Sequence, residues 1–197
     1  SALGITLGED TPSEIGKTYK EVSTQEDYDK YIALGYEVKW AGNNTFNATD
    51  RDDTINVGAG IDEAIGGMGD DIFYSVDGAD TIVAGNDAKI MAGAHRDNIR
   101  AGDNADINAG SGSDNVVAGN FAIVDLGSGD DTATVGDNAI VNSKSGSNSV
   151  TAGENATINL GIGSDSVNIT NGGNVNTGDS VTVQYQNNIS ICSLHVE

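Results

Sequence analysis

An intrachain disulfide is excluded, because Cys192 is the only cysteine among the 197 residues. Proline also occurs once and aromatic residues make up 5% of the chain, so neither rigid proline turns nor a large aromatic core organises it. Positive charge is scarce. Nine Lys and Arg stand against 30 Asp and Glu, giving a formal net charge of −21. Such a surface repels nucleic acid and anionic membranes and attracts cations, so no nucleic-acid partner is expected. No apolar run reaches the roughly 18 residues that a membrane helix needs, so no membrane span is expected. The opening residues Ser-Ala-Leu-Gly show neither a basic nor an apolar leader region, so no classical signal peptide is expected in them. Without disulfides the chain suits the cytosol, and equally a secreted bacterial protein that uses metal ions in their place.

Catalytic side chains are equally thin. His95 and His195 lie in unrelated contexts without triad spacing. The acid pairs Asp70-Asp71 and Asp130-Asp131 are consecutive, and neighbours on a strand point to opposite faces, which makes poor acid/base pairs. The glycines form no nucleotide-binding fingerprint. The chain is therefore expected not to be an enzyme.

What the sequence has is a period. An acid or its amide recurs every 17 residues at Asp80, Asp97, Asp114, Asp131, Asn148 and Asp165. Two residues on stands Ile82, Ile99, Val116, Ala133, Val150 or Val167; five on, a glycine from Gly85 to Gly153; eight on, an alanine from Ala88 to Ala156; ten on, Ile or Val from Ile90 to Ile158. Asp53, Asp62, Asp71 and Asp80 carry a shorter, nine-residue beat before this one. A fixed period is the mark of a solenoid, and two short alternating strands with two turns per repeat predict a parallel β-roll or two-sided β-helix. Acidity with few aromatics also fits disorder, but disorder needs no periodic Ile and Val.

Three segments follow from composition. Residues 1–50 hold the only Trp and Pro and most of the Tyr, and predict a small α/β cap. In it, Ser23-Thr24-Gln25-Glu26 reads as a capping box, a helix runs through Tyr28, Tyr31, Ile32 and Leu34 to Gly35, and Tyr36–Trp40 alternates like a strand. Residues 51–182 are the repeat array, of about seven or eight coils and on the order of 35 Å long at ~4.8 Å per layer. Residues 183–197 lose the repeat and are expected to supply one or two closing strands; a carboxyl-terminal secretion signal is the competing reading.

Gly66-Gly67-Met68-Gly69-Asp70-Asp71-Ile72, with the partial matches Gly127-Ser128-Gly129-Asp130-Asp131 and Gly161-Ile162-Gly163-Ser164-Asp165, resembles the nonapeptide repeat of the RTX (repeats-in-toxin) family. The resemblance covers about two-thirds of the chain. It implies Ca²⁺ held between stacked glycine-rich turns by Asp carboxylates and backbone carbonyls, in a secreted bacterial protein that folds when calcium is present. The ligands so implied are Asp62, Asp71, Asp80, Gly110, Gly112, Asp114, Gly127, Gly129, Asp130, Asp131 and Asp165. Charge supports a cation independently: stacked carboxylates about 5 Å apart repel by about 3 kcal/mol per pair at an effective dielectric near 20. The best-formed adjacent turns are Gly110–Asp114 with Gly127–Asp131, then Gly58–Asp62 with Asp77–Asp80. His95-Arg96 and Lys144 with Asn148 should interrupt the column, leaving a few ions with gaps.

The ion-free alternative is a roll whose Asp and Asn serve only their turns, with Asn104, Asn138 and Asn155 forming an amide ladder. Function then divides in two. One reading is a non-catalytic calcium-binding module, whose folding is coupled to the ion and which supports secretion or presents an effector. The other is a constitutive adhesin whose flat Asn, Thr and Ser rows contact a receptor, glycan or surface, ice being disfavoured by scarce threonine. A fragment of a larger enzyme is a third. The oligomeric state stays open; exposed coil ends can pair in a dimer.

Overall fold

The computed structural model describes residues 19–22, 25–35, 37–40, 42–48, 50–178, 181–185 and 193–196. The chain divides into two compact units, Ser1–Ala41 and Gly42–Glu197. In the first, the strands Tyr19–Val22 and Glu37–Trp40 pair in parallel around the helix Gln25–Ala33. Glu26 and Asp27 lie in the positive first turn of that helix and Lys30 in its last, each complementing the helix dipole. Gly35, at φ 81°, ends it. The capping box placed at Ser23 falls outside the described residues.

The second unit is a parallel β-solenoid of coils about 17 residues long, built from two nine-stranded sheets. Sheet I runs from Thr45–Asn47 to Val181–Tyr185, and sheet II from Thr54–Ala59 to Ser193–Val196. Successive coils pair residue on residue: Asn98, Asn115 and Thr132 stack in sheet I, and Asp106, Ile123 and Ile140 in sheet II. Most strands are three or four residues long, so each has room for one inward side chain flanked by two outward ones. The inward positions form two facing columns. Ile82, Ile99, Val116, Ala133, Val150 and Val167 come from sheet I, and Phe73, Ile90, Ile107, Val124, Val141, Ile158 and Val175 from sheet II, all at 1% exposure or less. Each such Val or Ile contributes about 1.5–3 kcal/mol, and smaller buried groups such as Ala88, Ala92, Ala105 and Ala109, with Leu126 and Leu160, fill the core around them.

The first coils are one residue longer than those between Asp80 and Asp165. The side-chain bond from Asp62 to Asp80 spans 18 residues, and that from Asp80 to Asp97 spans 17. The residue is lost at one corner. Asp53 and Asp71 precede the sheet II strands there, and the next coil puts Ala88 in the place of Asp71, followed by Ala105, Ala122, Ala139 and Ala156. The change from the nine-residue beat to the 17-residue one is thus the replacement of an acidic corner by an alanine corner.

Candidate metal centre

The remaining acidic corner is a ladder. Asp62, Asp80, Asp97, Asp114, Asp131, Asn148 and Asp165 stack in it, each 4% exposed or less. Alternation explains their burial: Asp114 and Val116 lie two residues apart, and so face the same way. The backbone N–H of Asp80 donates to Oδ1 of Asp97 at 2.8 Å. Asp97 and Asp114 donate in the same way to Asp114 and Asp131, also at 2.8 Å. Asp131 donates to Asn148 at 3.0 Å and Asn148 to Asp165 at 2.9 Å. One carboxylate oxygen per rung is therefore satisfied by the preceding coil.

The second oxygen sorts the rungs. Oδ2 of Asp62, Asp97, Asp114, Asp131 and Asp165 is buried without a hydrogen-bond partner. At Asp80 the Ser75 hydroxyl donates to it. At Asn148 the equivalent position is an amide nitrogen, which donates to Ser143 Oγ at 2.9 Å and to the Gly146 carbonyl at 3.2 Å. The residue five before the rung separates the two groups. It is serine for Asp80 and Asn148, but Val57, Ala92, Ala109, Leu126 or Leu160 for the orphaned rungs, all buried. Burial raises the carboxyl pKa of Asp62, Asp80 and Asp114, the Ser75 hydroxyl offsetting part of it at Asp80. It pushes Asp97 up to about 8 and Asp131 to about 6, hydrogen bonds from the preceding backbone offsetting only part of the penalty.

The turns that precede the ladder are themselves stacked. Ala94, Ser111, Ser128, Ser145 and Ile162 pair in sequence as parallel bridges. The Gly110 carbonyl accepts the Ser128 N–H at 3.0 Å, and the Ser128 carbonyl accepts the Gly112 N–H at 3.0 Å. Gly129, at φ 139°, stacks so closely that a Cβ there would run into the Gly112 carbonyl.

Of the residues the sequence singled out, Asp62, Asp80, Asp114 and Asp131 share this ladder, and both turn pairs chosen as best are adjacent coils. Asp165 belongs to the ladder but is separated from Asp131 by Asn148. Asp71 occupies the opposite corner, where its Oδ1 accepts the Asp53 N–H at 3.0 Å and its buried Oδ2 has no partner. Asp130 is exposed, and its Oδ1 accepts the Ser147 N–H at 2.7 Å. The carbonyls of Gly110 and Gly127 are engaged by Ser128 and Lys144 of the following coil. His95 takes the glycine position of its turn at φ 80° and swings its Nδ1 to Asp77 Oδ1 at 2.7 Å. Among the described residues no three His, Cys, Asp or Glu side chains converge on one point. A Ca²⁺ here would hold one or two carboxylates and need carbonyls and water for the rest of its six to eight ligands.

Asn104, Asn138 and Asn155 sit at the opposite turns with φ near 57–59°. The side-chain ladders form beside them instead. Asn86, Asp103, Asn120 and Asp137 each accept the N–H of the residue 17 on, at 2.7–2.9 Å. The amides of Asn142, Asn159 and Asn176 chain together on the outer face of sheet II at 2.6–2.8 Å. Sequence reasoning missed the first of these ladders. Its signal was the glycine at the start of each tight turn: a Cβ at Gly119 would strike the Asp103 carboxylate.

No helix among the described residues is long and apolar enough to cross a membrane. Comparison with family models, with curated proteins and with solved structures finds no match to this chain.

Proposed function

We propose that the chain is a non-catalytic, RTX-like repeat module that takes up Ca²⁺ along its acidic corner, with folding coupled to the ion. In that role it would support secretion, or presentation of an attached effector, outside a bacterial cell. One observation carries the reading: buried carboxylate oxygens without partners recur on successive rungs, at Asp97, Asp114 and Asp131. Leaving such groups bare costs about 1–3 kcal/mol each, and more when they are charged. Asn148 indicates what the slot takes, because its amide bridges to the Gly146 carbonyl two residues back. For Asp114 and Asp131 the corresponding carbonyls are those of Gly112 and Gly129. A slot between a carboxylate and a carbonyl accepts a hard cation, and ligand deprotonation couples uptake to folding.

The satisfied rungs support the second reading, a constitutive interaction scaffold that needs no ion. Ser75 on Asp80, and Ser143 with Gly146 on Asn148, close the ladder with protein groups alone. One experiment divides the two. Circular dichroism and calorimetric titration at pH 8 should show Ca²⁺ uptake with a gain of β signal, and the double variant D114N/D131N should lose at least one ion. A spectrum equally β-rich in chelator, with no heat of calcium binding, overturns the calcium reading and leaves the scaffold.

A further inference from the structure

Five successive tight turns on the alanine-corner side place one non-glycine residue in the left-handed backbone region, and the next turn places Gly172 there. In four coils that residue is Asp87, Asn104, Asn138 or Asn155, the side chains that tolerate φ near 57–59°. In the fifth it is Phe121, at φ 58° and 58% exposed. The stack dictates this conformation, since the Asn104 N–H bonds the Asn120 carbonyl and the Phe121 N–H bonds the Asp137 carbonyl. A bulky side chain is strained there, and an exposed one recovers nothing by burial.

Phe121 is not alone. Ile123 follows two residues on and points outward at 47% exposure, and Ile140 pairs directly beside it at 37%. Single exposed apolar residues need no explanation, whereas three brought near one another by sequence and register at a strained turn do. Carboxylates surround them. Asp106 is the register partner of Ile123 on the other side, and Asp125 lies two residues along the same strand. Asp103 and Asp137 are stacked above and below Asn120, the neighbour of Phe121. Lys89 approaches Asp106 at 3.9 Å, and the other three acids extend the negative rim.

We propose that Phe121, Ile123 and Ile140 form a docking spot for a cationic protein segment that carries apolar side chains. Charge decides the occupant: an apolar centre within a carboxylate rim complements a basic amphipathic partner, and at −21 a second copy of this chain is repelled. The spot is independent of the ladder, which lies at the other corner.

The test uses the whole chain and two peptides of equal charge, one alternating lysine with leucine and one alternating lysine with serine. Titrations are run at about 0.15 M salt, where long-range attraction is screened. The lysine–leucine peptide should bind the native chain more tightly than the lysine–serine peptide. F121N should raise the melting temperature, because asparagine is the residue of the equivalent turns, and should weaken the lysine–leucine peptide about tenfold or more. I123T/I140T, which leaves the turn intact, should weaken it likewise. Equal binding of the two peptides, or unchanged binding by F121N, overturns the proposal. So does sedimentation showing a native dimer that F121N dissociates, since the spot would then serve a second copy.

Discussion

Asp97 concentrates the chemistry of the ladder in one side chain. It is 1% exposed, takes one hydrogen bond from Asp80, and has Ala92 and the neighbouring carboxylates for company. Burial, with repulsion from Asp114 and Asp80, lifts its pKa from 3.8 to about 8, and burial lifts that of Asp131 to about 6. A carboxyl that holds its proton more tightly when folded stabilises the fold fully below its unfolded value. That contribution drains as pH rises, by about pH 6 for Asp131 and by about pH 8 for Asp97. In chelator the melting temperature should therefore fall steadily from about pH 4 to 8. D97N should flatten the upper part of that fall, because an amide can donate to the turn carbonyl as Asn148 does. A melting temperature that rises with pH in chelator would show that the buried carboxyl groups are not the controlling ones.

At the scale of elements, the turns set the tolerance of the stack more tightly than the strands do. Gly129 lies against the Gly112 carbonyl at a φ that L side chains rarely adopt. G129A should cost about 3 kcal/mol in a urea melt, against a few tenths for a solvent-facing change such as T132S three residues along the same coil. The strands themselves were readable from residues alone: Ile99, Val116 and Val150 recur at the period of the coil and point inward. The corner was readable only in part. Asp114 and Val116 share parity, which already placed the acid on the core side, yet bare carboxylates inside a protein are costly enough that a turn ligand was the more natural expectation. The serine five residues before Asp80 and Asn148 told apart the satisfied rungs, but only the folded ladder gives that spacing a meaning. Phe121 escaped for the opposite reason, since an aromatic residue is the last to be expected in a left-handed turn.

The whole molecule carries a heavy excess of one charge. At low ionic strength its net −21 works against the compact state through self-repulsion. Raising sodium chloride in chelator from about 10 mM to about 0.5 M shortens the screening length from about 30 Å to a few Å and should raise the melting temperature. Millimolar Ca²⁺ at constant ionic strength should raise it further, since screening alone leaves the bare oxygens of Asp97, Asp114 and Asp131 where they are. Equal stabilisation by Ca²⁺ and by an ionically matched sodium salt would reduce the ion to a counter-charge.

Two side-chain ladders of the solenoid, at the acidic corner and at the tight turns, run in opposite senses. At the acidic corner an earlier coil offers its N–H to a later side chain, as Asp97 does to Asp114; at the tight turns a later coil offers its N–H to an earlier side chain, as Asn120 does to Asp103. A half-built stack consequently presents, at its growing end, a waiting donor on one edge and a waiting acceptor on the other. A slip of one residue along the chain would therefore lose a bond at both edges at once. The pair of ladders thus pins register from both sides, and each end of the stack offers one free donor position and one free acceptor position to the coil beyond it.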